Sequence, residues 1–174
     1  MKRSIGLWQL WGFAFTSLLG TLLHFLYDLV GEAVWVSPFS GVNESTWEHM
    51  KLLFWPMLIY AIFQSFFFRN RLDFWSIKLK GILLGLVLIP ILFYTYNGAI
   101  GKSPDWLNIT IFFVAAAISY IYEAKLLKGE RKEYIPAWLS ITILSVIALA
   151  FIIFTFYTPR LGIFKDPITG AYGI

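Results

Sequence analysis

Five long apolar stretches, separated by short polar segments, follow one another along the 174-residue chain. They cover residues 5–30, 46–68, 77–96, 106–122 and 135–157. A bilayer core of about 30 Å is crossed by about 20 mostly apolar residues in an α-helix, and each stretch falls near that length. The pattern predicts an all-α integral membrane protein, a single domain built as a bundle of five transmembrane helices.

Local signals predict where some of these helices begin and bend. Ser45 and Glu48 have the spacing of a capping box, in which the Ser45 hydroxyl accepts from the Glu48 amide and the Glu48 carboxylate accepts from the Ser45 amide. The second helix should therefore begin sharply near Ser45. Pro56 and Pro90 fall inside the second and third stretches and should bend those helices. The Gly81-x-x-x-Gly85 step should allow another helix to approach closely.

The composition supports the membrane class. Hydrophobic residues make up 59% of the chain and charged residues 14%, whereas soluble domains are about 45–50% apolar and about 25% charged. The lipid bilayer is therefore the expected partner. The absence of cysteine excludes disulfides, thiol catalysis and Cys-ligated zinc. The net charge of +4 comes without a basic stripe on a soluble face, so nucleic acid is not an expected partner.

The distribution of Lys and Arg predicts an orientation. If the spans alternate, ten of these residues lie on the side of the amino terminus: Lys2, Arg3, Arg69, Arg71, Lys78, Lys80, Lys125, Lys128, Arg131 and Lys132. The other side has four: Lys51, Lys102, Arg160 and Lys165. The positive-inside rule then places the amino terminus in the cytoplasm and the carboxyl terminus outside. The tail, residues 158–174, is expected to pack on the outer face.

Polar residues gather at the outer ends of the first two helices. His24 and Asp28 are four residues apart and share one face of the first helix. The second helix begins with Asn43, Glu44, Ser45, Glu48 and His49. The short connection between the helices contains glycine and proline, so it should set the two helix ends side by side. The two histidines and the three carboxylates are then candidates to face one cavity. Adjacent residues such as Glu48 and His49 diverge by about 100° on a helix, and the sequence does not decide whether the two histidines meet.

Imidazole and carboxylate groups together are ligands for zinc, iron or manganese. His24, Asp28 and His49 are the candidate metal ligands, Glu44 and Glu48 are the candidate catalytic carboxylates, and Asn43 and Ser45 are further polar groups of the site. A metal-bound water beside a carboxylate base would make a hydrolase, whose expected substrate is a lipid or a lipid-linked molecule. No His-Glu-x-x-His motif fixes the metal, so the cofactor stays open.

Two other interpretations compete with the enzyme. In a small ion or solute transporter, or a cation-binding protein, the same carboxylates would hold a proton or cation, but the third to fifth spans show no conspicuous charge to extend a pathway. In a structural or regulatory membrane subunit, the cluster would only fix geometry, because Glu48 serves the capping box and a helix dipole favours Glu44. No oligomeric state follows from the sequence.

The string Val-Asn-Glu-Ser-Thr-Trp-Glu-His-Met-Lys at residues 42–51, with His24 and Asp28 upstream, is specific. It resembles an uncharacterised family of small multi-pass membrane proteins from bacteria, chiefly Gram-positive ones, known as a domain of unknown function. The resemblance covers nearly the whole chain. It implies a multi-pass fold in a bacterial plasma membrane. No catalytic role can be carried over from it, because the family has no assigned activity.

Overall fold

The computed structural model describes residues 2–101, 105–129 and 134–174, and these residues form five α-helices. The helices are α1 (Lys2–Leu29), α2 (Thr46–Ser65), α3 (Phe74–Ile100), α4 (Asp105–Lys128) and α5 (Ala137–Phe156). Within the described ranges the only β pairing is one bridge between Lys165 and Tyr172. The all-α prediction is confirmed for these ranges. Lys102, Arg131 and Lys132, which entered the charge count, lie outside them.

Helices α1 to α4 form a four-helix bundle in which α1 and α3 each pack against both α2 and α4. Helix α5 packs against α3 and also reaches α2, because the Phe151 ring lies 4.6 Å from the Trp47 ring and 5.1 Å from the Phe54 ring. Helix α2 therefore has protein around most of its circumference. Eleven of its twenty residues are buried.

Four of the helices, α1, α3, α4 and α5, are long and apolar enough to cross a membrane. Helix α2 is the exception, because Glu48, His49 and Lys51 occupy its first turns and Gln64 lies near its end. Glu48, Lys51 and Gln64 are buried among neighbouring parts of the protein. The five helices agree with the sequence pattern, whereas the fifth span and the orientation stay predictions.

The segment between α1 and α2, residues 30–45, which we call the connection, is fixed at both ends. Gly31 and Glu32 have φ angles of 67° and 60°, and their amides donate to Asp28 O and Tyr27 O at 3.1 and 2.9 Å. This is a Schellman motif, which stops α1 before Glu32 can extend its polar face. The Gly41 amide then donates to Leu23 O at 3.2 Å. The end of α1 and the start of α2 therefore lie side by side, at what we call the site end of the bundle.

The tail after α5 folds over the site end. The Phe164 ring lies 4.6 Å from the Trp47 ring of α2, and the Asn43 side-chain amide donates to Gly173 O at 3.1 Å. Near the amino terminus, Ile5 instead packs in a cluster with Leu127, at the other end of the bundle. The two termini therefore lie at opposite ends of the protein.

Candidate metal centre

Glu44 lies between the two histidines of the chain. One of its carboxylate oxygens is 3.8 Å from His24 Nε2 and the other is 3.6 Å from His49 Nε2. The imidazole rings approach each other with their centroids 5.7 Å apart. Each residue offers one ligand atom, and the three atoms lie within 4.8 Å of one another. Helix α1, the connection and helix α2 thus contribute one side chain each to a His-Glu-His triad.

A backbone hydrogen bond sets the orientation of His49. Its Nδ1 lies 3.0 Å from Ser45 O, and a carbonyl oxygen can only accept a hydrogen bond. Nδ1 therefore carries a proton, and Nε2 is the ring nitrogen that faces Glu44. Metal-binding histidines show the same arrangement, in which an outer hydrogen bond fixes the tautomer and the ring orientation.

The triad lines a cavity of about 330 Å³ at the site end. Asp28, Asn43 and Asn108 add polar groups to its wall. The side chains of His24, Glu44 and His49 are 26%, 38% and 14% exposed, so the triad is partly enclosed yet open to a ligand. The structure thus brings together five of the predicted site residues, counting Asp28 and Asn43.

Glu48 is placed differently from these five residues. It is only 3% exposed, and its Oε2 lies 2.5 Å from Lys51 Nζ and accepts from the Val42 amide at 3.1 Å. The lining of the cavity does not include it. Glu48 therefore supports the site without lining it, because it holds the backbone at Val42, two residues before Glu44.

Only half of the predicted capping box forms. Ser45 Oγ accepts from the Glu48 amide at 3.4 Å, as expected for an N-cap. The predicted return bond is wrong, since the Ser45 amide donates to Asn43 Oδ1 at 2.9 Å instead. The physical reason is the buried ammonium of Lys51, because a desolvated charge requires an opposite charge more strongly than an amide requires an acceptor.

Lys51 was counted as an outer loop charge from the sequence, but its side chain is fully buried. Its ammonium donates to Ser37 O at 2.7 Å and to Thr155 Oγ1 at 3.2 Å, besides its pairing with Glu48. These bonds join the connection, α2 and α5 behind the triad. The three-residue spacing of Glu48 and Lys51 was the one signal for this pair in the sequence.

A second buried ion pair was also missed. Lys78 Nζ lies 2.5 Å from Glu123 Oε2, and these residues are 1% and 0% exposed. The expectation that the third to fifth spans lack conspicuous charge is wrong, because α3 begins at Phe74 and α4 continues to Lys128. The Gly81-x-x-x-Gly85 step was the feature of the sequence that indicated close packing of another helix on α3 here. A Cβ at Gly81 would collide with the Glu123 carboxylate, and one at Gly85 would lie 2.7 Å from Ser119 Oγ.

An apolar crevice of about 180 Å³ continues from the cavity along the seam between α1 and α4. It shares His24, Phe25, His49 and Ile109 with the cavity wall. Its remaining lining residues are Gly20, Thr21, Leu52, Phe112 and Phe113. A polar cavity that contains the triad and an apolar crevice therefore adjoin one another.

A family model described as a family of unknown function, DUF6512, matches residues 2–174. No curated protein and no solved structure matches the chain. The resemblance to an uncharacterised family, which the sequence string indicated, is therefore confirmed. That the string at residues 42–51 is characteristic of this family, and that the protein is bacterial, stay predictions.

Proposed function

The chain belongs to this family of unknown function, so its activity has to be inferred from the site, and we propose that it is a metal-dependent membrane hydrolase acting on a lipid or lipid-linked substrate. The observation that supports this proposal is the convergence of His24, Glu44 and His49 on one cavity from three separate segments. Two histidines and one carboxylate are the ligand set of several catalytic zinc sites, which keep a fourth position for water or substrate.

Zinc is the first candidate metal, and iron or manganese would accept the same ligands. Around zinc, ligand atoms at about 2.0–2.1 Å are roughly 3.3 Å apart in a tetrahedron. The triad atoms, within 4.8 Å of one another, reach that spacing if each side chain moves by roughly an ångström. Glu44 is a better third ligand than Asp28, because it already lies between the histidines.

The remaining groups of the cavity supply the other parts of a hydrolysis. A zinc ion in the triad would lower the pKa of its water toward about 7. Asp28, on the wall of the same cavity, would take the proton of the attacking water as its oxygen bonds to the acyl or phosphoryl centre, and would return that proton to the departing oxygen. Glu48 is a positioning residue in this scheme, since it holds the Val42 amide rather than the substrate.

The adjoining crevice supports a lipid substrate. An amphiphile whose polar head enters the cavity at the triad would find apolar walls for an acyl chain between α1 and α4. Gly20 keeps this route open, because a Cβ there would lie 2.5 Å from the Phe112 ring. Because lipid tails are as apolar as these walls, the acyl chain can pass from the leaflet into the crevice without exposure to water.

The proposal includes the topology. Helix α2 is the fifth span, inside the bundle, and the amino terminus lies in the cytoplasm of a bacterial cell whose plasma membrane holds the protein. The cavity then opens to the outer leaflet. Of the fourteen Lys and Arg residues, Lys51 and Lys78 are buried in ion pairs. The charge bias persists without them, because one has to be removed from each side of the count.

The decisive experiment is elemental analysis of the protein purified in detergent without a histidine tag. We expect about one equivalent of zinc, iron or manganese per chain, and its loss in both His24→Ala and His49→Ala. Asp28→Asn is the matched control, because it removes a cavity carboxylate outside the triad. It should keep the metal and lose the hydrolysis of phosphatidylethanolamine or phosphatidylglycerol vesicles, followed by mass spectrometry of the products.

Other outcomes would favour the alternatives. A protein that takes up no metal, even after reconstitution with each of the three ions, refutes the metalloenzyme. Metal binding with metal flux into vesicles and no lipid turnover would favour a transporter. If His24→Ala lowers only the thermal stability, the cluster has the structural role of a subunit that fixes helix ends.

A further inference from the structure

A second polar group of residues lies inside the bundle, away from the triad. It consists of Gln9, Gln64, Lys78 and Glu123, one from each of the first four helices. Their exposed fractions are 3%, 0%, 1% and 0%. We call this group the polar layer.

Helix geometry places these four residues at one depth. Ile5, Phe74 and Leu127 belong to one buried apolar cluster near the amino terminus, and Phe68 packs against it. Residues four apart lie on the same face of a helix, one turn along. One turn further into the bundle from Ile5, Phe68, Phe74 and Leu127 come Gln9, Gln64, Lys78 and Glu123, respectively. The helical register extends to Phe68, because its amide donates to Gln64 O at 3.2 Å.

Aromatic rings cover the other side of the layer. The rings of Tyr60 and Tyr120 lie 6.2 Å apart, and Lys78 Nζ lies 5.8 and 5.6 Å from their centroids. The Phe74 ring lies 5.7 Å from the same ammonium. The polar layer is therefore enclosed between the apolar cluster and two tyrosines.

Most polar atoms of the layer have no protein partner. Lys78 pairs with Glu123 Oε2. Among the residues that the structure describes, Glu123 Oε1 and both amide atoms of Gln9 and of Gln64 have none. Buried polar groups in native proteins are nearly always hydrogen-bonded, to ordered water where protein offers nothing. Five such atoms in one layer indicate a bound ligand.

The charge and hydrogen-bonding capacity of the layer define this ligand. Lys78 and Glu123 already neutralise each other, so a bound ion would leave a net charge inside the bundle at high cost. The unpartnered atoms include two amide NH₂ donors and three oxygen acceptors. The ligand must therefore be small and neutral, and must both donate and accept.

We propose that the polar layer is an internal binding site for water, and that the water molecules there bridge Gln9 and Gln64 to the Glu123 carboxylate. A buried water makes about three hydrogen bonds, so five unpartnered atoms require about two molecules. Entry is through a groove of about 280 Å³ between α1 and α4, whose lining includes Gln9 and Tyr120 among apolar residues. A small neutral molecule crosses such a lining more easily than an ion does.

X-ray radiolytic labelling of the whole protein in detergent, carried out in H₂¹⁸O, tests this site. The method labels side chains beside bound water even where they are buried. Tyr60 and Tyr120 should acquire ¹⁸O label at least severalfold faster than Phe54, which is 0% exposed and packs in the apolar core. Equal labelling of the three residues would overturn the proposal.

Variants of the two glutamines give a second test, because the midpoint of thermal unfolding should change in opposite directions for a hydrated and for a dry layer. If water bridges them, Gln9→Leu and Gln64→Leu should each lower the midpoint of thermal unfolding, and the double variant should lose the extra labelling of the tyrosines. If the layer is dry, replacing an unpartnered amide by an apolar side chain of similar size should raise the midpoint. A rise in both single variants contradicts bound water.

Discussion

Replacing Lys51 with methionine removes the ammonium group, keeps most of the side-chain length and leaves the Glu48 carboxylate buried without its partner. Lys51 is fully buried, 2.5 Å from Glu48 Oε2 and 2.7 Å from Ser37 O. Breaking a buried ion pair by removing one partner costs about 3–5 kcal/mol of unfolding free energy. We therefore expect a clear fall in the midpoint of thermal unfolding in detergent.

The same substitution should weaken metal binding, although Lys51 does not line the cavity. Two of its three partners hold the connection that carries Glu44, Ser37 through its carbonyl and Glu48 through the Val42 amide. Removing a group bonded directly to a metal ligand typically lowers metal affinity by about 10–100-fold, and Lys51 acts one step further away, through the backbone of the connection. We therefore expect a loss at the lower end of that range, about tenfold for zinc, measured by competition with a chromophoric chelator well below the unfolding midpoint.

Lys78→Met is the matched control. It also breaks a fully buried pair with a 2.5 Å contact, but at the end of the bundle remote from the triad. Its stability should fall by a similar amount, about 3–5 kcal/mol, while its zinc affinity stays at the wild-type value. Unchanged zinc affinity in Lys51→Met, or an equal loss in both variants, would refute the link between the buried pair and the triad.

Three further predictions concern packing and the site. Gly12→Ala should destabilise the protein by about 1–3 kcal/mol, because a Cβ there would lie 2.5 and 2.6 Å from the rings of Tyr120 and Tyr60. Gly98→Ala should instead stabilise it by about 0.8–1 kcal/mol, because a Cβ there would have nothing within 4 Å. Thermal unfolding measures both changes. Phe164→Ala should cost up to about 3–5 kcal/mol and speed tryptic cleavage of the tail, since this ring packs on Trp47; an unchanged cleavage rate would contradict the packed tail. Zinc at 100 times its dissociation constant should raise the unfolding free energy of the wild type by about 2.7 kcal/mol, and a chelator should reverse this; no shift would count against a zinc site.

The contact of His24 and His49 around Glu44 depends on side-chain packing that the sequence does not show. The five helices and the juxtaposition of the first two helix ends, in contrast, follow from spacing. The apolar stretches are long enough to define five helices, and a short connection with glycine and proline predicts that the end of α1 lies beside the start of α2. Local sequence distances settle such features. For the same reason the sequence predicted that α1 carries His24 and Asp28 on one face, and both line the cavity.

The buried ion pairs depended on tertiary packing, which spacing does not reveal. A lysine close to a helix end has the same local sequence whether it points to headgroups or into the bundle, so the sequence predicts Lys78 as a charge at the membrane surface. Its burial results from the approach of α4, which Gly81 permits. Likewise, the role of Glu48 depended on whether Lys51 lay at the protein surface or behind the triad.

The central position of α2 affects how the protein should be handled and tagged. A count of apolar helices alone gives four and would place both chain ends on one face of the membrane, yet the termini lie at opposite ends of the bundle. A histidine tag added after Ile174 would hang beside Asn43, within reach of the triad, and would bring its own zinc ligands. Affinity handles and fluorescent reporters therefore belong before residue 1, where they are separated from the triad by the length of the bundle.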